Sequence, residues 1–526
     1  MKILVPVRLA ALALVVFASA SAYAQVTPTP TPAFPAATPL PTGQTLADLQ
    51  AKIRQSLLRP EVRRGSVGVK ITSLSSGKVI FQENAEKYFM PASNMKNFTV
   101  ATAIEKLTPD FRFVTSVYAA AMPDADGTVK GGLRIFGRGD VSMSTRFNGG
   151  SDPLKSLDPL VDKIVQAGVK KIEGDIIGDD SYFRGFPIPG GWEWDDLQWD
   201  YGAEVSSLPL NDSIISLSVR PGPAGYGCTV KMTPYNPVMR VMNQCTTSSA
   251  GSRRTLNVHK RIDQNILEIT GWMPVNDGGF NGTLSISRPA ELFVALLRQK
   301  LIEKGIVVTG NYRYEKRTDG SLPLGVEITK LESAPMAAIT ANTLKPSQNM
   351  YTETLLWTLG EQERTLAFNT ANPALTPSLA ADSSELGLAA VKRFLMSIGV
   401  APDGIVQYDG SGLSRHNLIT PAAVVQLYTY MSKQSRFSQV WRDSLTIGGV
   451  DGTLRNRFRG TRASGNVRGK TGTIDQVSAL SGYLKTATGE ELVFSMVVNG
   501  VPENATRVSL IDEMVNHLAN FNGKVD

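Results

Sequence analysis

Met90-Pro91-Ala92-Ser93-Asn94-Met95-Lys96-Asn97-Phe98-Thr99 is the stretch on which the reading of the chain turns. A helix is expected from about Ser93 to Leu107, with Phe98, Ala101, Ile104 and Leu107 at helical spacing and Pro109 ending it. Proline suits a first helical turn, where a missing N–H is tolerated. Residues three apart on a helix share a face, so the hydroxyl at 93 and the amine at 96 can meet. A serine hydroxyl is a poor nucleophile at neutral pH and needs a neighbouring base. Lysine serves only when uncharged, and burial beside other cations lowers its pKa enough for that. The same spacing recurs at Ser75 and Lys78, but in a turn between two expected strands, where both read as solvated.

The flanks of this helix set the fold class. Leu46, Leu49, Ile53 and Leu57 predict a helix that Pro60 stops, and Val67–Ile71 and Lys78–Phe81 read as a hairpin. At the far end Ala479–Leu484 and Glu491–Val498 read as strands. A helix over Arg507–Phe521 follows, with Leu510, Met514, Val515 and Leu518 on one face. Elements of this kind at both ends predict one α+β domain made from the two ends of the chain. Residues 111–317 read as an insertion: they hold both cysteines, Trp192, Trp194, Trp199 and Trp272, and many Gly and Asn turns.

Composition narrows the function classes. The chain has 526 residues, 42% hydrophobic and 19% charged, a balance that suits globular domains and neither a disordered chain nor a multi-span membrane protein. The net charge of +7 is spread without a basic run, which argues against nucleic-acid binding. Two cysteines and three histidines leave little room for a metal, and no cofactor motif is present. Lys2 and Arg8, the apolar run Leu9–Phe17 and Ala22-Tyr23-Ala24 read as a secretory signal over residues 1–24. No later run could span a bilayer, so no transmembrane anchor is expected once the signal is removed, and the protein reads as exported to the periplasm. Residues 25–44 are rich in Pro and Thr and form a linker. In an exported chain Cys228 and Cys245 are expected to pair.

Two more motifs follow the first. Ser347-Gln348-Asn349 comes after Lys345-Pro346 and opens an expected helix through Leu355, Leu356 and Leu359, where Ser347 also reads as an ordinary cap. Ser464-Gly465-Asn466 has the same pattern but lies too near the next motif to form an opposite wall. That motif, Lys470-Thr471-Gly472-Thr473, precedes the strand at 478–484, and its glycines favour close backbone approach by a ligand. The order Ser-x-x-Lys, Ser-x-Asn, Lys-Thr-Gly, each in its setting, is far more specific than any one match.

On these three motifs the chain resembles the D-alanyl-D-alanine carboxypeptidase/endopeptidase family of class C low-molecular-mass penicillin-binding proteins. Asp409-Gly410-Ser411-Gly412-Leu413-Ser414-Arg415, Gly449-Val450-Asp451-Gly452-Thr453-Leu454 and Ser478-Ala479-Leu480-Ser481-Gly482-Tyr483 are similar too. The resemblance implies a serine β-lactamase-like penicillin-binding domain, helices around an antiparallel sheet, split into 45–110 and 318–526 by two subdomains at 111–317. It implies Ser93 as nucleophile, Lys96 as base, Ser347 as proton relay, and Asn349 positioning Lys96 and substrate. Lys470, counted with the catalytic residues, and Thr471 would bind the terminal carboxylate or support the proton relay, Gly472 and Thr473 would also bind the substrate, and the N–H groups of Ser93 and Thr473 would form the oxyanion hole. In Trp192–Tyr201, Asp196 would meet the free amine of a peptidoglycan stem peptide, with Tyr201 as a wall. Penicillin would acylate the same serine. Val141 stands where the family commonly has proline. A serine β-lactamase and a non-catalytic cell-wall-binding or penicillin-sensing protein are the alternatives. A Ser-His-Asp hydrolase is disfavoured, since His259, His416 and His517 are the only bases and no Gly-x-Ser-x-Gly elbow occurs.

Overall fold

The computed structural model describes residues 43–150, 152–317, 323, 325–370 and 381–525. The expected signal (1–24) and all but the last two residues of the linker (25–44) lie outside them. Helix α1 (Leu46–Leu57) begins where Thr45 and Asp48 cap each other's backbone N–H groups.

Six strands form the main sheet: β1 (Ser66–Ser73), β2 (Val79–Glu83), β3 (Thr446–Ile447), β4 (Arg468–Ile474), β5 (Val477–Lys485) and β6 (Glu491–Asn499). Their order is β3-β4-β5-β6-β1-β2, with every neighbour antiparallel. The two ends of the chain meet at β1 and β6, from Ser66 opposite Asn499 to Ser73 opposite Leu492. Strands β5 and β6 are buried on both faces, which explains the nearly unbroken apolar run Leu492–Val498. Leu480, Phe494 and Met496 pack on one face with α1 and α6 (Asn504–Asn520). Ala479, Tyr483, Val493 and Val497 belong to the other core, with α2 (Lys96–Leu107), α3 (Asn349–Thr370), α4 (Ser383–Ser397) and α5 (Pro421–Lys433).

The three motifs depart locally from the expected elements. Ala92 takes φ +46 and residues Ala92–Met95 form a 3-10 turn, so Ser93 stands just before α2 and not on it. Ser347 takes φ +66 and α3 starts two residues later, at Asn349. Lys470 lies in a strand of its own, β4, which runs antiparallel to β5 and does not form part of it. Gly469 and Gly472 blurred that strand's pattern. A Cβ at either would sit 2.4 Å from a backbone oxygen, of Ser481 and of Pro91 respectively.

Apolar residues between Val117 and Ile328 build a separate core. A five-stranded sheet runs in the order Tyr312–Glu315, Ile176–Asp179, Leu133–Phe136, Val114–Ala119, Val326–Glu332. Its apolar side chains pack with the helices Asp158–Gln166 and Pro289–Glu303. Since Val326–Glu332 pairs with Val114–Ala119, this sheet draws on residues beyond 317. Three three-stranded sheets complete this part, and Cys228 and Cys245 form a disulfide there. Among the described residues no helix is long and apolar enough to cross a membrane.

Candidate active site

Ser93, Ser347, Asn349, Thr471 and Thr473 line one cleft of about 700 Å³, together with Glu193, Asp195, Asp196 and Tyr201. Three distant stretches of chain therefore converge. Lys96, wholly buried, places Nζ 2.9 Å from Ser93 Oγ, 2.6 Å from Asn349 Oδ1 and 2.7 Å from the Ser411 carbonyl oxygen. Asn349 donates through Nδ2 to the Tyr201 carbonyl at 2.9 Å, which fixes the amide so that its oxygen faces Lys96. An uncharged amine has two N–H groups and one lone pair. Two of its three neighbours can only accept, so they take both N–H groups and leave the lone pair for the Ser93 hydroxyl proton. Burial pushes the Lys96 amine down to about 7, against the opposing charges of Asp409 and Glu353.

Lys470, also wholly buried, donates to Ser347 Oγ at 2.9 Å and to the Thr471 carbonyl at 2.8 Å. Burial, and after it the charge of Lys96, hold its amine well below the ordinary lysine range. Strand β4 is drawn against the Ser93 turn: Asn94 donates through Nδ2 to the Lys470 carbonyl at 3.1 Å, and only a glycine at 472 leaves room for the Pro91 carbonyl. Beyond Gly469 the side of β4 away from β5 has no strand partner among the described residues. Thr473 is exposed in the cleft, while Thr471 is buried and its hydroxyl donates to Thr453 Oγ1 at 2.7 Å.

The opposite wall is acidic. Asp196 is half-buried, and burial, reinforced by Glu193 and Asp195, raises its carboxyl above the ordinary range. Glu193 pairs with Arg415 at 3.0 Å, and Trp192 donates its indole N–H to Asp409 at 2.9 Å. The second Ser-x-x-Lys string stays apart: Ser75 and Lys78 are exposed, bonded to Glu490 and to the Val525 carbonyl. None of the three histidines lines the cleft, and His416 is exposed against Tyr408. Sequence reasoning missed the Ser411 carbonyl, the Asn94 clamp and Thr453. Residues 409–415 stood out as a string, but a backbone carbonyl leaves no residue-type signal.

An antiparallel sheet between helices, with two serine–lysine pairs at the turn before α2 and along β4, defines a serine hydrolase of the penicillin-binding class. Residues 49–521 match the D-Ala-D-Ala carboxypeptidase 3 (S13) family, and the chain belongs to it. It is similar to the D-alanyl-D-alanine carboxypeptidase of an Actinomadura species, 30% identical over 474 residues that cover 87% of this chain and 82% of the relative. A second relative is D-alanyl-D-alanine carboxypeptidase DacB of Haemophilus influenzae, 25% identical over 460 residues, covering 86% of this chain and 89% of that one. In three dimensions the fold is that of penicillin binding protein 4 (dacB) from Haemophilus influenzae. The TM-score is 0.74 at 22% identity, over 91% of this chain and all of that one. The chain is a serine-type D-Ala-D-Ala carboxypeptidase.

Proposed function

We propose that Ser93 attacks the carbonyl of the penultimate D-alanine of a peptidoglycan stem peptide while Lys96 takes its proton. The observation that carries this is the Lys96 environment, two carbonyl-type acceptors at 2.6 and 2.7 Å and the serine hydroxyl at 2.9 Å. The N–H groups of Ser93 and Thr473 bind the oxyanion, each such donor contributing about 3 kcal/mol to the transition state. Ser347, backed by Lys470, delivers a proton to the departing D-alanine, and Thr471, Gly472 and Thr473 hold its carboxylate. Water then releases the acyl group from Ser93. Asp196 receives the free amine of the stem peptide against Tyr201. Carboxypeptidase and endopeptidase cleavage both cut beside a D-alanine and differ only in the leaving group, so the same residues serve either.

Penicillin acylates the same serine and leaves slowly. The proposed substrate and the signal expected at 1–24 support work in the periplasm. The decisive experiment incubates purified protein with fluorescent penicillin and maps the labelled peptide. Label on Ser93 is expected, and label on any other residue overturns the assignment. Turnover of monomeric against cross-linked muropeptides then separates the two peptidase activities.

A further inference from the structure

One of the three partners of Lys96 belongs to a peptide plane that lies outside the three motifs. The Ser411 carbonyl accepts from Lys96 at 2.7 Å, and the N–H of the same peptide unit, that of Gly412, donates to Asp409 Oδ1 at 2.7 Å. A trans peptide is planar, with its C=O and N–H on opposite sides, so a grip on the N–H sets the direction of the carbonyl. A charged partner at the N–H also polarises the carbonyl toward a stronger acceptor. Asp409 is wholly buried and receives three further donors: Asn417 Nδ2 at 2.8 Å, the Ser414 N–H at 2.7 Å and Trp192 Nε1 at 2.9 Å. Glu353, one turn along α3 from Asn349, takes the N–H groups of Gly410 and Ser411 at 2.9 and 2.7 Å. Residues 410–412 and 414 are thus held through their N–H groups by two buried acids. Of these donors Trp192 alone comes from the inserted part, and it directly precedes Glu193, Asp195 and Asp196 on the cleft wall.

We propose that Asp409 is a positioning residue for Lys96, and that its bond to Trp192 ties the orientation of the amine to the acidic wall of the cleft. This rests on the reading of Lys96 as the base. The titratable groups facing Lys96 are Asp409 on the 409–415 loop, Glu353 on α3, whose carboxyl burial and then the charge of Asp409 push up to about 8, and Lys470 on β4. The carboxylate of Asp409 favours the ammonium form of Lys96, so changing its charge or its donors moves the pH at which the amine becomes free.

The test measures the pH profile of acylation by fluorescent penicillin in wild type, Trp192→Phe and Asp409→Asn. Phenylalanine removes one donor and leaves the Asp409 carboxylate less neutralised by hydrogen bonds, so it attracts the ammonium form more strongly, the acid limb moves up by a few tenths of a pH unit and the rate falls several-fold. Asparagine removes the charge, so the limb moves down by about 1 unit and the rate falls at least ~10-fold. Shifts in opposite directions support the proposal, because a purely structural role lowers rates without moving the limb. Unmoved limbs in both variants overturn it. Should Asp409→Asn fail to fold, Trp192→Phe decides alone: an upward shift supports and an unmoved limb refutes. A wild-type profile without an acid limb sinks the base assignment itself, a separate outcome.

Discussion

Acidification should switch off acylation while the fold persists. Lys96 titrates near 7, so its amine is about half charged at pH 7 and about 99% charged at pH 5. The ammonium form has no lone pair for the Ser93 proton, so the rate must fall as pH falls. The second-order acylation constant should therefore drop about 10-fold per unit below pH 6, roughly 50- to 100-fold from pH 7 to pH 5. At the ordinary lysine value of 10.5 fewer than ~0.1% of the amines would be free at pH 7, so burial makes the base on the order of 10³-fold more available. Rapid-quench kinetics with a fluorescent penicillin from pH 5 to 9 measure the limb directly. Lys96→Arg supplies the complement, since a guanidinium cannot give up its proton and acylation should be lost by ~10³-fold at every pH. A midpoint above pH 9, a flat profile, or an arginine variant within 10-fold of wild type would refute the reasoning.

Three further outcomes follow from particular contacts. Gly412 has φ +85 and a Cβ there would lie 1.9 Å from the Ala92 carbonyl, so Gly412→Ala should cost ~3 kcal/mol or more and lower both melting temperature and acylation. Wild-type values for both would contradict the packing described. Asp196→Asn should raise KM for stem peptides bearing a free amine and leave penicillin acylation unchanged, and steady-state kinetics on amine-bearing and acetylated peptides separate these. Cys228 and Cys245 close a loop with a separation of 17 within the inserted core. Replacing both with serine should destabilise that part by up to ~3 kcal/mol in thermal melts, with acylation retained.

How far the sequence could be read depended on whether each feature had a residue-type signature. The joining of the chain's ends was legible because β1 alternates apolar residues at Val67, Val69 and Ile71, β6 carries a nearly unbroken apolar run, and α1 and α6 space their apolar residues at helical intervals. The motif residues were legible because the chemistry needs those side chains. The Ser411 carbonyl was not, since any residue supplies one. Strand β4 was hidden because two glycines, required where β5 and the Ser93 turn approach, replaced its alternating pattern. The end of the inserted part was not legible, since Val326–Glu332 pairs with a strand some 210 residues earlier, a partner that local composition does not reveal.

The remaining concealment lies in strain. Ala92 and Ser347 flank the reactive groups at φ +46 and +66, a region disfavoured for residues with a Cβ and costing of order 1–3 kcal/mol each. Neither is a glycine, so neither announces its conformation. Burial of Lys96 adds to this. Its shift from 10.5 to about 7 corresponds to roughly 5 kcal/mol. Between those values the unfolded chain holds a proton that the folded one lacks, so this contribution makes the fold more stable as pH rises from 7 to 10.5 and weighs against it below. The positions that carry these costs are pinned by groups anchored in the two large cores: Asn94 on β4, the Gly412 peptide on Asp409, and Asn349 on the Tyr201 carbonyl. A sheet packed on both faces supplies the rigidity that a one-sided sheet of this size would lack. The double burial of β5 thus gives β4, the strand that carries Lys470 and meets the Ser93 turn through Asn94, a rigid neighbour.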